Sequence, residues 1–341
     1  MSMVNPLGGN YGSDQHGLIW GYRFSPGQPA EAVTADGFIA AMAAVAGSGP
    51  RDFFWLHMTL ANAASESWMR QNLRLPQAFF DSLRTEEAST RLEFDDDMLV
   101  AVIHDVLFES SYESSAVGST CVCIGPQLLL SARLRPLRSV DKLREAVRSG
   151  HAFSSTVELL AHLLREQANV LSEILRRSTA RVDQIEDRLL ANRSSTTRSE
   201  LGALRRSLVR LQRLLAPEPA AFFRLLNRPL SWIRNDDLQE LRQAAEEFAA
   251  SLNDSVALVE RVKLIQEELA AFNNEQTSRT LFVLTVVTVV ALPINLVSGL
   301  FGMNVGGIPL GESEHGFRLI VVALMILTGV LGWLALGRKR D

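Results

Sequence analysis

The stretch Thr280–Asn304, TLFVLTVVTVVALPINLVSGLFGMN, decides what kind of molecule this chain is. It contains no Asp, Glu, Lys or Arg, and the charge-free run continues to Gly311. A helix of about 20 such residues spans the ~30 Å hydrocarbon core of a bilayer. Leu319–Gly337 is a second charge-free run. Together they hold most of the hydrophobic excess of a 341-residue chain that is 47% apolar, with mean hydropathy +0.09. They predict two transmembrane helices, about 280–301 and 317–336, the second with Trp333 as an interfacial anchor near its end. A wholly soluble enzyme and a disordered chain are excluded. A net charge of −4 gives no electrostatic case for nucleic acid.

The first run holds more polar groups than an anchor needs: Thr285, Thr288, Asn295 and Ser298. Ser278, Leu281, Thr285, Thr288, Leu292, Asn295, Gly299 and Gly302 follow one another at alternating steps of three and four, so they share one helix face. Val283, Val286, Val287, Val290 and Ile294 lie elsewhere. Polar groups at membrane depth face a bundle interior or a water-filled cavity. Helix packing also uses Gly, Ser and Thr, so spacing alone leaves a pore face and a packing face open.

Charge flanking the spans predicts orientation. Arg279 precedes the first, and Arg338-Lys339-Arg340 follow the second. The loop 305–316 holds Glu312 and Glu314 and no Lys or Arg. The positive-inside rule puts both termini in the cytoplasm, in a multi-pass protein of the inner (cytoplasmic) membrane. The opening MSMVNPLGGN lacks a charged segment followed by an apolar run, so no signal peptide is predicted.

Upstream of the first span no Gly occurs between Gly202 and Gly299, and no Pro between Pro229 and Pro293. Apolar or small residues recur at 238, 241, 245, 248, 252, 256, 259 and 262. The pattern predicts one helix over 236–301, N-capped by Asp236 with Gln239, about 100 Å long. Most of it would be a stalk continuing into the membrane. A break near Asn273–Thr280 is the alternative. The region 138–235 reads as cytoplasmic helices. Ser155 with Glu158 forms a capping box before a helix running to about Asn192, and Thr197 with Glu200 repeats that spacing before a second. Pro217 and Pro219 are read as stopping it. Residues 1–16 are read as a flexible tail and 17–137 as an α/β domain. Strands are predicted at Gly17–Phe24 and Phe53–Leu60, and hairpins at Arg91–Phe94 with Met98–Phe108 and at Thr120–Ile124 with Leu128–Leu134. Helices are predicted at Phe38–Ala46, Glu66–Leu73 and Gln77–Leu83. Residues 302–316 form the external loop and 337–341 a cytoplasmic tail.

Gly302-Met303-Asn304, after a span containing Pro293 and before a short loop and a second span, resembles the signature of the CorA superfamily of divalent-cation transporters. Val305-Gly306-Gly307-Ile308-Pro309 looks like its ZntB zinc-transporter branch, and Trp55-Leu56-His57 is also similar to that branch. The resemblance implies a funnel-shaped homopentamer whose first span lines a pore, with Gly302, Met303 and Asn304 at the outer mouth. Ser278, Leu281, Leu292 and Asn295 match positions that face the family's pore, and Thr285 and Thr288 share their stripe. It implies transport of a divalent cation, Zn2+ in that branch, which is also associated with proton-coupled uptake; the alternatives are a magnesium, cobalt or nickel channel of the same superfamily and, from another class, a membrane-tethered signalling or scaffold protein. No proton carrier is located in the stripe. Partners are then further copies of the chain, the lipid bilayer, divalent cations and protons. No resident cofactor is expected, and the cation is cargo.

The expected pore contains no His, Cys or carboxylate, whereas high-affinity zinc sites use those groups. Hydroxyl and amide oxygens suit hydrated hard cations. Leu281 and Leu292 could gate by dewetting. Asn304, Glu312 and Glu314 are the candidate metal-contacting residues, with His315 beside them in the entrance loop. Cys121-x-Cys123, His57, His104, His151, His162, and the acids Glu93 and Asp95–Asp97 are read as structural before functional. Gln243 stands where magnesium-gated relatives carry a sensing acid. There is no P-loop, nucleophile elbow, HExxH or GxGxxG, so no enzyme is predicted.

Overall fold

The computed structural model describes residues 12–45, 52–84, 90–95, 97–108, 116–190, 197–303 and 315–337. It divides into two compact units, 1–264 and 265–341.

In unit 1 a seven-stranded sheet is built from β1 (Leu18–Phe24), β2 (Glu31–Val33), β3 (Phe53–Thr59), β4 (Arg91–Asp95), β5 (Met98–Val106), β6 (Val117–Ile124) and β7 (Leu128–Arg133). The order is β2-β1-β3-β7-β6-β5-β4. All neighbours are antiparallel except β3 and β7. β3 reads FFWLHMT and is buried throughout, because both faces of the sheet are covered. Successive side chains go to opposite sides. Phe54, Leu56 and Met58 pack with Phe38, Trp68, Met69, Phe79 and Phe80 of α1 (Ala35–Val45), α2 (Ala64–Asn72) and α3 (Gln77–Leu83). Phe53 and Trp55 face the other way. There α4 (Arg138–Arg148), α5 (Thr156–Leu190), α7 (Pro217–Asn227) and the start of α8 (Asn235–Phe301) supply Leu143, Leu160, Leu164, Phe222, Leu241 and Ala245.

Several elements differ from the sequence reading. β2 was not expected, and α4 lies in the region 138–235 that was read as helices without being delimited. α6 (Thr197–Leu215) does end just before Pro217 as expected, but Pro217 also starts α7, since proline fits the first helical turn, where its missing N–H has no partner to lose. Ser155 Oγ does accept the Glu158 N–H, at 3.0 Å, but the Glu158 carboxylate turns to Ser154 instead, at 2.6 Å from its N–H. Glu200, near the start of α6, is engaged by Arg188 at 3.0 Å. α8 begins one residue before the expected cap, Asp236. Its first turn is fixed by Asp237, which accepts from Ser155 Oγ at 2.8 Å and from Arg234 at 2.9 and 3.0 Å. The apolar stripe also shifts: Ser255 is fully buried and Val256 is 42% exposed. A helix advances 3.6 residues per turn, so a step of three keeps the buried face in register where the sequence offered four.

In unit 2, α8 is unbroken across 273–280. The hydroxyls of Thr277 and Thr280 donate to the carbonyls of Asn273 and Gln276 at 2.9 and 3.0 Å, so they find their partners within the helix itself. Among the described residues α8 is the one helix long and apolar enough to cross a membrane. α9 (Gly316–Gly337) contributes a shorter apolar stretch, Gly316–Leu331.

Candidate functional site

The stripe Ser278, Leu281, Thr285, Thr288, Leu292, Asn295, Gly299 and Gly302 is solvent-exposed at every position. The half-buried residues of this part of α8, including Phe282, Val286, Val290, Pro293 and Val297, follow a different face. On α9 the half-buried residues Ile320, Leu324, Thr328 and Leu331 also share a face. The packing within unit 2 leaves the polar stripe uncovered, with Leu281 (57% exposed) and Leu292 (66%), and leaves the apolar Val283, Leu284, Val287 and Leu296 beside it equally exposed, so it is the polarity of the stripe that sets this face apart.

The threonines have a defined polarity. Thr285 Oγ1 donates to the Leu281 carbonyl and Thr288 Oγ1 to the Leu284 carbonyl, both at 2.8 Å. Each hydroxyl hydrogen is thus committed to the helix backbone, leaving oxygen lone pairs free to accept. Pro293 has no N–H, so the Val289 carbonyl four residues earlier lacks its in-helix donor. The helix ends where Gly302 N donates to the Ser298 carbonyl at 3.0 Å. A Cβ on Gly302 would lie 3.1 Å from that oxygen. Met303 is 53% exposed. Oxygen acceptors and apolar bands along one face can meet a cation but cannot hold one tightly. Asn304, Glu312 and Glu314 lie outside the described residues. His315 is exposed, and its carbonyl accepts the Leu319 N–H at 3.2 Å in the first turn of α9.

The remaining candidates make structural contacts, except Asp96, which lies outside the described residues. Cys121 and Cys123 are free and buried, and burial pushes both thiols up to about 12. No group of three or more His, Cys, Asp or Glu able to hold a metal exists among the described residues. His57 accepts from Arg133 Nε at Nε2 (2.8 Å) and lies 2.7 Å from Ser131 Oγ through Nδ1. His151 and His162 pack their rings 5.2 Å apart beside Phe153. Glu93 is taken by Arg91 at 2.6 Å, and Asp97 is a left-handed turn residue (φ 60°) whose carbonyl accepts from Trp232. Gln243 is exposed and bonded to Glu247 at 2.9 Å.

A buried acid network escaped the sequence reading. Glu218 accepts the His104 backbone N–H at 2.5 Å and Gln167 Nε2 at 3.3 Å, and His104 Nδ1 stands 3.6 Å away. Asp105 accepts from Ser139 N and Oγ at 2.7 Å. Burial raises both acids, Asp105 to about 7. Their order in the chain, 105, 167 and 218, hides a cluster that only the fold assembles.

Residues 50–339 match the family described as CorA-like Mg2+ transporter protein. The chain is 29% identical over 322 residues to the divalent cation transporter CmaX of Pseudomonas aeruginosa, covering 93% of this chain and 94% of that one. It is 25% identical over 279 residues to the zinc transport protein ZntB of Pectobacterium carotovorum, covering 82% and 85%. The solved structure of full-length CmaX superposes with TM-score 0.79 at 26% identity over 96% of this chain and 99% of that chain. The complete CorA magnesium transporter of Methanocaldococcus jannaschii shares the fold, with TM-score 0.73 at 17% identity over 92% and 96%.

Proposed function

From the premise that the chain belongs to the CorA-like family, we propose that it carries divalent cations across a membrane, with the exposed face of α8 lining the path. The observation that carries this reading is the uncovered stripe of acceptor oxygens between Ser278 and Asn295, ending at Gly302-Met303-Asn304. Several copies about an axis, five by the resemblance, would turn these stripes inward and give the polar groups the cavity that membrane depth requires. Leu281 and Leu292 would form apolar rings, and Asn304 would meet the hydrated ion at the mouth. α9 is the second span. Both termini and unit 1 then lie on the cytoplasmic side of the inner membrane, with Glu312, Glu314 and His315 outside.

Zinc is the proposed cargo, supported by the VGGIP segment and the ZntB relatives. The stripe itself holds no soft ligand, and the CmaX relative, matched over more of the chain, is named only for divalent cations. Magnesium, cobalt and nickel are therefore the alternative cargo. Purified protein in liposomes, offered each of the four ions with and without a pH gradient, tests the reading. Uptake of zinc above the others supports it, and a proton gradient that changes the rate adds coupling. No uptake of any ion sinks it.

A further inference from the structure

Among the described residues, three buried N–H groups on the α4 side of the sheet have no hydrogen-bond acceptor: Nη1 of Arg133, Nε of Arg144 and Nε1 of Trp20. They belong to one cluster. Trp20 pairs with His57 and His57 with Ser131 across β1, β3 and β7, so these side chains and Arg133 share a face of the sheet. The Trp20 ring stacks on His57 with centroids 4.2 Å apart. The Arg144 guanidinium carbon lies 4.4 Å over the Trp20 ring.

His57 cannot relieve the charge. Its Nε2 accepts from Arg133, so the ring hydrogen sits on Nδ1 and is donated to Ser131 Oγ. Burial, then the charges of Arg133 and Arg144, hold this ring well below its ordinary value and keep it neutral. Arg133 is 4% exposed, and arginine stays protonated in proteins. Asp141, one turn before Arg144 on α4, acts on both charges from beyond ion-pair distance. Among the described residues no carboxylate contacts either guanidinium. A charge buried without a counter-charge is strongly unfavourable.

We propose that unit 1 binds one small anion, a halide or a compact oxyanion, at the convergence of Arg133, Arg144 and the Trp20 indole N–H. Two cations and three unused donors, with no free acceptor among them, complement a negative ion and repel a metal cation. The ion would be the missing counter-charge of the core and would tie β1 and β7 to α4. The site lies in unit 1, away from the polar stripe of α8, and does not depend on the transport reading.

Equilibrium dialysis of the full-length protein in detergent tests this, with radiolabelled chloride and radiolabelled phosphate in separate arms at fixed ionic strength. We expect saturable uptake of one anion per chain. Competition between the two arms identifies which kind of ion is preferred. Arg144→Gln, on a half-exposed position, should weaken binding about tenfold or more, the loss expected for one charge-assisted hydrogen bond. Trp20→Phe keeps an aromatic ring against His57, removes the N–H together with part of the indole, and should weaken binding several-fold. No saturable binding of either ion by the wild type, or the wild-type affinity in both variants, overturns the proposal.

Discussion

Ser131 Oγ serves three groups at once: it accepts from Trp55 Nε1 at 2.9 Å and His57 Nδ1 at 2.7 Å, and donates to the Leu56 carbonyl at 3.4 Å. Ser131→Ala strands two buried donors, so we expect a loss of about 1–3 kcal/mol per group, read as a lower melting temperature of the full chain. Asp105 carries a pH signature. Its carboxyl titrates at about 7 in the fold against an ordinary 3.8, so between those values the folded chain binds the extra proton. Stability from this group is full below 3.8 and is lost as pH rises toward 7, by a few kcal/mol at ~1.4 kcal/mol per pK unit. Asp105→Asn cannot titrate, so the melting-temperature advantage of the wild type over this variant should shrink from about pH 5 to about pH 7. A constant difference would contradict the assignment. On α8, Asn295→Leu should dry the proposed path and Asn304→Ala should remove its amide ring, each abolishing or severely reducing liposome uptake while assembly persists. Wild-type flux in both would remove the stripe from the mechanism. The stripe was legible from spacing alone, because a helix face is a property of local sequence. The partners of His57 and Asp105 were not, because strand register brings together residues that lie far apart in the chain.

At the scale of elements, the start of α8 depends on one carboxylate. Asp237 is buried and bonded to Ser155 and Arg234, and the arginine also reaches Ser154 Oγ at 2.9 Å. Asp237→Ala leaves Ser155 and Arg234 without this acceptor and removes a negative charge from the helix N-terminus. A cost of about 1–3 kcal/mol is expected, measured as loss of thermal stability with retained helical signal. Asp236→Ala, one residue earlier and exposed, should change stability by less than about 0.5 kcal/mol. The sequence pointed to the neighbouring residue because a cap is recognised by spacing, whereas the structure selects the carboxylate that meets Ser155 across 82 residues. Long periodic elements such as α5 and α8 were readable, as were the buried runs FFWLHMT and LLLSAR. β2, only three residues long, carries no periodicity to detect, and the prolines of α7 are stop and start signals alike.

For the whole molecule the testable quantity is sidedness. A cysteine placed at Ser313 should react with an impermeant thiol reagent on intact cells, and one at Ser199 should not. The opposite labelling pattern would invert the proposed topology. The division of the chain after Leu264 also bears on how the protein is made. Every strand, both faces of the core and the buried stretch of α8 precede the apolar runs in the order of synthesis. Chains grow at about 5–20 residues per second, and domains fold as units from the N-terminal side. The 15 residues from 265 to 279, which separate unit 1 from the first apolar run, take roughly 1–3 s to add, a time within the ms–s range in which mixed domains fold. Unit 1 thus leaves the ribosome ahead of the first apolar run, and its strands can begin to pair while that run is still being made.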